Sequence, residues 1–362
     1  IDEVHRAGAE SYQRIIDYFK PKFLLGMTAS PERTDGYDLY NLFHHNIVYE
    51  IRLEQALEED LLCPFHYFGI SDLWIDGKEI NLEEDTISFS NLSGAERVDK
   101  IIEKIRYFGH SGSRVKGLVF CSNKKEAKEL SDAFNLRKFR TISLTGDDSQ
   151  AKREDAIARL TGTGDYQGFV DDQLDYIFTV DIFNEGVDIP EVNQVIMLRQ
   201  TESPIVFIQQ LGRGLRRFED KEYVVILDFI GNYSNSYMIP LALSGDRSYN
   251  KDTLRKYVQS GNRIIPGTST VHFDAIAKKR IFAAIDTANL SSAKLIKEAY
   301  LELKYKLGHI PRIKDFKNYG AIDITKIFNK YKSYHHFLTQ IKDKDYKIVF
   351  TPIQEQMLHF IS

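Results

Sequence analysis

From Lys116 to Leu227 the chain alternates short apolar runs with amphipathic segments, and the runs empty into polar loops. Gly117 to Cys121 leads into Ser122-Asn123, and Thr141 to Leu144 into Thr145-Gly146-Asp147. Tyr176 to Val180 leads into a loop that carries Gly186 and Asp188. Helical spacing fills Lys124 to Phe134 and Ala151 to Leu160, and further apolar runs follow at Gln194 to Leu198 and Tyr223 to Leu227. Strands this short and apolar are buried on both faces, and strands that alternate with helices need crossover connections. The pattern therefore predicts an α/β fold with a parallel sheet. In such sheets ligands bind at the C-terminal ends of the strands.

One stretch before the last strand is rich in both glycine and arginine, Gln209-Gln210-Leu211-Gly212-Arg213-Gly214-Leu215-Arg216-Arg217. Read as a helix, it puts Gln209, Arg213 and Arg216 on one side, because positions three and four apart are neighbours. A solvated helix face carries arginines too. The alternative is that two guanidiniums on one stripe, near a ligand loop of the sheet, hold an anion.

F-x-x-G-x-D at Phe183 to Asp188 and Q-x-x-G-R-x-x-R at Gln209 to Arg216 resemble motifs V and VI of superfamily 2 helicases. Asp2-Glu3-Val4-His5 resembles motif II in its DExH form, and Thr28-Ala29-Ser30 resembles motif III with Ser in place of the commoner Thr. The run Pro31 to Gly36 and the segment Leu62 to Gly69 are similar to the branch containing type III restriction helicase subunits and XPB-like translocases. The resemblance implies a partial RecA-like lobe plus a complete RecA-like parallel-sheet lobe, with a C-terminal helical domain. The expected boundaries are 1–70 for the C-terminal half of lobe 1, 71–94 for a linker and 95–232 for lobe 2. A connector would fill 233–275, and a basic helical domain with a DNA-binding role would fill 276–362.

The resemblance also implies ATP hydrolysis with Mg²⁺. Asp2 would hold the metal, Glu3 would polarise the attacking water, and Arg213 and Arg216 would meet the charge that develops on the transferred phosphate. His5 and Gln209 resemble the pair that couples two lobes, while Gly186 would allow close backbone approach to the nucleotide and Asp188 would tie its ribose or the arginines. Nucleic-acid contact would fall to Thr28, Ser30, Arg33, Ser122, Asn123, Thr145, Gly146 and Thr179. Ser, Thr and Asn after strands also serve as helix caps. The implied activity is that of an ATP-dependent DNA helicase or translocase, in a setting of restriction or phage defence. An RNA helicase of the DExH type and a non-catalytic nucleic-acid-binding module are the alternatives.

The phosphate loop G-x-x-x-x-G-K-S/T is absent from these 362 residues, and Ile1 stands directly before the motif II residues. The expectation is a C-terminal fragment, inactive alone, whose partner is the missing N-terminal RecA half. A hydrophobic content of 43% and a charged content of 28% suit a soluble protein. No apolar run is long enough for a bilayer, so no membrane partner is expected. Cys63 and Cys121, far apart, fit a reducing, cytoplasmic setting. Residues 276–362 hold 16 Lys+Arg against 8 Asp+Glu, a balance of +8 that leaves −12 on the rest of a chain whose total is −4. Their lysines could track phosphates or form a solvated surface. Phe316, Ile322, Ile327 and Phe337 are expected in a core.

Overall fold

The computed structural model describes residues 1–28, 37–71, 94–162, 172–180, 182, 189–199, 207–208, 210, 212–230, 234–260 and 268–361. Internal packing divides the chain into two bodies. One comprises Ile1–Glu50, Asp246–Thr253 and Asn289–Ser362, and the other comprises Ile51–Gly245 and Leu254–Ala288.

The second body is built on seven strands: β1 (Phe65–Ser71), β2 (Gly117–Phe120), β3 (Thr141–Leu144), β4 (Tyr176–Thr179), β5 (Gln194–Met197), β6 (Val224–Ile230) and β7 (Thr270–Phe273). They form one sheet in the order β3-β4-β2-β5-β6-β1-β7, and the pairings are all parallel. Every residue of β2, β4, β5 and β6 is buried, as expected of strands covered on both faces. Two helices predicted from spacing are present as α4 (Lys124–Asn135) and α5 (Gln150–Thr161), and α3 (Gly94–Phe108) precedes β2. The α3 stripe of Val98, Ile101, Ile102 and Ile105 is buried against the sheet. Arg97 and Glu126 form an ion pair between α3 and α4 in which both side chains are mostly buried.

The domain boundaries differ from those read in the sequence. Residues 65–70, assigned to lobe 1, lie with Ser71 of the expected linker inside the second-body sheet between β6 and β7. Phe65 and Tyr67 are fully buried there. Part of the expected connector is regular, with helices at Met238–Ser244 and Lys251–Ser260 followed by β7. Helix Ala275–Thr287, counted with the basic tail, belongs to the sheet body: Ala277, Ile281 and Ile285 are buried, and Arg280 Nη1 donates to Ile230 O at 2.6 Å. Four residues of β7 are too few to show a period, which is why the sequence reads through them.

In the first body, α1 (Glu10–Phe19) carries Ile15, Ile16 and Phe19 at helical spacing, but it has no buried side chain. Ile15 is 56% and Phe19 71% exposed, so the apolar stripe is not covered by the described residues. Helices α8 (Ala275–Thr287) and α9 (Ala293–Leu307) follow α6 (Met238–Ser244) and α7 (Lys251–Ser260), after α2 (Leu53–Glu58) earlier in the chain. The C-terminal helices are α9, α10 (Ile313–Asn318), α11 (Thr325–Tyr331), α12 (Tyr334–Gln340) and α13 (Pro352–Ile361). Phe316, Ile322, Ile327 and Phe337 are buried in one core with Ile296 and Tyr300. This core packs with the N-terminal segment: His45 Nδ1 donates to Tyr305 O at 2.6 Å, and Lys306 Nζ pairs with Glu50 at 2.5 Å. No helix among the described residues is long and apolar enough to cross a membrane.

A carboxyl is buried inside the sheet. Asp228 of β6 accepts a 2.5 Å hydrogen bond from the Tyr67 hydroxyl of β1, and burial pushes its carboxyl up to about 7 from 3.8. Arg199, Asn235 and Ser236 line a small cavity beside it. A carboxyl with a raised folded-state pKa keeps its proton in the folded chain after the unfolded chain has lost it. Its contribution to stability is therefore greatest below the unfolded value and declines as pH rises through about 7. Asp228→Asn keeps an acceptor for Tyr67 and removes the titration. Urea midpoints of variant and wild type should diverge in favour of the variant between pH 5 and pH 8; a constant difference would contradict the buried carboxyl.

Candidate nucleotide and nucleic-acid site

In the first body, Ile1 to Val4 runs parallel to Leu25–Met27. Ile1 N donates to Leu25 O at 2.6 Å, Met27 N to Ile1 O at 2.9 Å, and Val4 N to Met27 O at 2.9 Å. This ladder sets Asp2, Glu3 and His5 beside Thr28. His5 Nδ1 lies 3.0 Å from Thr28 Oγ1 and 3.3 Å from Glu3 Oε2. Glu3 adopts a left-handed conformation, φ 48°, which residues other than glycine seldom occupy and which functional sites often hold. Asp2 is exposed, and its Oδ1 accepts from Glu3 N at 2.9 Å.

A single exposed carboxylate fits Mg²⁺ that is held mainly by substrate phosphates and water, the usual way this ion binds. Among the described residues, no group of three or more His, Cys, Asp or Glu gathers as a closed metal cage. Bound there, the ion would neutralise phosphate oxygens. Ser30 and Arg33 lie outside the described residues.

In the second body, parallel register brings the strand ends to one edge. Phe120 pairs with Thr179 and with Met197, and Leu144 pairs with Thr179. The loops after β2 and β3 therefore open on the same side, and β2 stands between β4 and β5, where the strand order reverses. Ser122 and Asn123 are exposed on the first loop, and Thr145 and Gly146 lie on the second.

Several of these polar groups already have local partners. Asn123 caps α4, its Oδ1 accepting from Glu126 N at 2.9 Å, and Ser122 N donates to Glu126 Oε2 at 2.7 Å. Thr145 N donates to Asp148 Oδ2 at 2.7 Å. Hydrogen bonds from Lys152 and Thr145 hold the Asp148 carboxyl below its ordinary range. Thr179 requires a correction. It is fully buried, with no hydrogen-bond partner for its hydroxyl among the described residues, so the strand end does not present that hydroxyl to nucleic acid. A central strand covered on both faces leaves its side chains no route to solvent. Gly186, Asp188 and Gln209 lie outside the described residues.

The arginine stretch also differs from its expected form. Helical structure extends to Gly212, after which Arg213 and Gly214 form a turn and Arg216 lies in a bend. The two arginines therefore do not share a helical stripe. Gly214 explains the turn's seat: a Cβ there would lie 2.8 Å from Val224 Cγ1 and 3.2 Å from Val195 Cγ2, so the backbone rests directly on β5 and β6. Leu215 is buried, and its carbonyl accepts from Cys63 N at 2.7 Å.

Beneath the turn lies Lys221, a residue the sequence did not single out. Its side chain is buried, and Nζ donates to Gly214 O at 3.0 Å, to Val192 O at 3.1 Å and to Pro190 O. In Phe218-Glu219-Asp220-Lys221-Glu222 a lysine reads as part of a solvated charged turn, and no local signal marks it otherwise. Arg216 is exposed beyond this anchor, while Arg213 is partly buried.

Three families match the chain. "Type III restriction enzyme, res subunit" covers residues 1–33, "Helicase conserved C-terminal domain" covers 96–218, and "Domain of unknown function (DUF8090)" covers 296–362. The putative ATP-dependent helicase IRC3 of Saccharomyces cerevisiae is 27% identical over 68% of this chain and 36% of its own length. The DNA 3'-5' translocase XPB2 of Sulfurisphaera tokodaii is 25% identical over 62% of this chain and 56% of its own. This chain thus spans well under two thirds of either relative. Among solved structures, the ATP-dependent type ISP restriction-modification enzyme LlaBIII bound to DNA aligns with 99% of this chain and 29% of its own, at a TM-score of 0.50 and 16% identity, a likeness of fold.

Substitutions at Gly214 and at Asn123 test these placements. Gly214→Ala should lower stability by about 1–3 kcal/mol through overpacking, and adding Val224→Ala, which removes the nearest methyls, should recover part of the loss in urea melts. At the cap, Asn123→Ala should cost about 1 kcal/mol while Asn123→Asp retains stability. If Asn123 also meets phosphates, the aspartate variant alone combines wild-type melting with weakened nucleic-acid binding.

Proposed function

We propose that this chain, which belongs to the superfamily 2 helicases in the type III restriction and XPB-like branch, forms part of an ATP-dependent motor that moves on DNA. The observation that carries the reading is the joining of Asp2, Glu3 and His5 to Thr28 by the Ile1–Val4 ladder and the His5–Thr28 hydrogen bond. A carboxylate that orients water and a hydroxyl on the following loop are linked through one imidazole. A change at the nucleotide can thereby be passed to a neighbouring segment.

Phosphoryl transfer to water needs a positioned carboxylate and cations that meet the transition-state charge. Glu3 would orient the water, Asp2 would hold Mg²⁺, and Arg213 and Arg216 would supply the cations from a turn seated on Gly214 and Lys221. An arginine in this role contributes roughly 10³–10⁵ in rate. Ser122, Asn123, Thr145 and Gly146 are the proposed nucleic-acid contacts at the sheet edge. DNA is favoured over RNA because relatives named as a DNA translocase and a restriction enzyme subunit are similar to this chain. ATP binding also calls for a phosphate loop, which would come from the N-terminal RecA half of a longer polypeptide.

Steady-state ATPase of the gene's full-length product, with duplex DNA, duplex RNA or neither, tests the reading. Hydrolysis should rise with DNA and fall by at least about 10³-fold in Arg216→Ala. Stimulation by RNA alone would favour the DExH RNA helicase, and no hydrolysis with Mg²⁺ present would leave a nucleic-acid-binding module.

A further inference from the structure

Residues 289–362 contain 13 Lys+Arg and 7 Asp+Glu, an excess of +6. The structure shows that this excess is unevenly neutralised. All seven carboxylates have partners: Glu298 with Lys294, Glu302 with Arg247, Asp343 and Asp345 with Lys304, and Glu355 with His335. Asp315 and Asp323 accept backbone hydrogen bonds at helix starts.

The segment around α10 concentrates this imbalance on a fixed face. Arg312, Lys314 and Lys317 are exposed and make no ion pair among the described residues. The segment's one carboxylate, Asp315, is buried and accepts from Arg312 N at 2.7 Å, so it does not offset the outer face. Ile313 and Tyr319, 51% and 46% exposed, stand among these cations. At Lys342 to Lys347, by contrast, lysines alternate with acids, and Asp343 and Asp345 both bind Lys304. The exposed Lys330 and Lys332 make no ion pair among the described residues but lack the flanking Ile313 and Tyr319.

The α10 face is also rigidly mounted. Phe316 is buried, its ring meets Tyr334 edge-on at 5.9 Å, and the Tyr334 hydroxyl donates to Pro311 O at 2.8 Å. Lys306 Nζ lies 5.5 Å from the Tyr319 ring centroid. Cations held in place on a segment whose single carboxylate is buried, with an aromatic and an aliphatic side chain among them, complement a phosphodiester backbone better than a neutral surface. We propose that Arg312, Lys314 and Lys317 on the outer face of α10 bind the phosphate backbone of duplex DNA.

This proposal rests on the reading of the chain as acting on DNA, but its readout needs no nucleotide. A motor without hydrolysis that keeps the binding below would sink that reading and leave this one standing. The test is fluorescence anisotropy of labelled duplex DNA with the whole 362-residue chain across a potassium chloride titration. Each phosphate contact contributes about 0.9 to the slope of log affinity against log salt, so Arg312→Gln/Lys314→Gln/Lys317→Gln should flatten it by about 2.7. Lys314→Gln alone should flatten it by about 0.9, which keeps the test decisive if the triple variant melts early. Lys342→Gln/Lys344→Gln/Lys347→Gln, with the same charge change, should have a smaller effect. An unchanged slope in both α10 variants, an equal loss in the control, or no DNA binding by the wild type would overturn the proposal. So would binding to phosphatidylserine vesicles or duplex RNA in place of DNA.

Discussion

The constraint on which the second body depends is a parallel sheet that must bury both faces. The strands in the middle are apolar or, as at Tyr176–Gln194 and Tyr67–Asp228, hydrogen-bonded to one another, so chemistry is expelled to the strand ends. In-register pairing of Phe120, Leu144, Thr179 and Met197 puts those ends on one edge. The sheet thereby turns an alternation of apolar runs into a single line of polar loops. Thr179 marks where the rule stops: one residue short of the edge, a hydroxyl is already enclosed.

Charge inside this body is tolerated only where geometry satisfies it. Lys221 places its ammonium among three backbone carbonyls, matching its three donors. It ties the turn at Gly214 to the chain at Pro190 and Val192, the segment that enters β5. Gly214 makes this possible because a side chain would hold the turn off Val195 and Val224. The glycine and the buried lysine thus act on one object from two sides, and Arg213 and Arg216 inherit a fixed base.

The parallel sheet and its ordered helices were legible because burial on both faces leaves an unmistakable apolar record in short runs. The core around Phe316 was legible from apolar residues at helical spacing. What escaped depends on distant contacts. Phe65 to Ser71 looks like any short apolar strand, and only pairing with β6 and β7 decides which body owns it. The arginine stretch read as a helix because its spacing permits one, whereas the close approach to β5 and β6 requires a turn. Lys221 carried no signal at all, since a buried ammonium and a solvated one look alike in a charged run. Asp2, Glu3, His5 and Thr28 were nameable from order and resemblance, but their meeting rests on a ladder formed by residues 1–4 and 25–27.

The charges proposed for hydrolysis are divided between the bodies. Asp2 and Glu3 belong to the first, Arg213 and Arg216 to the second. Alone, the carboxylates repel a polyphosphate, and the arginines attract one without activating water. Neither set completes the electrostatic requirement of phosphoryl transfer.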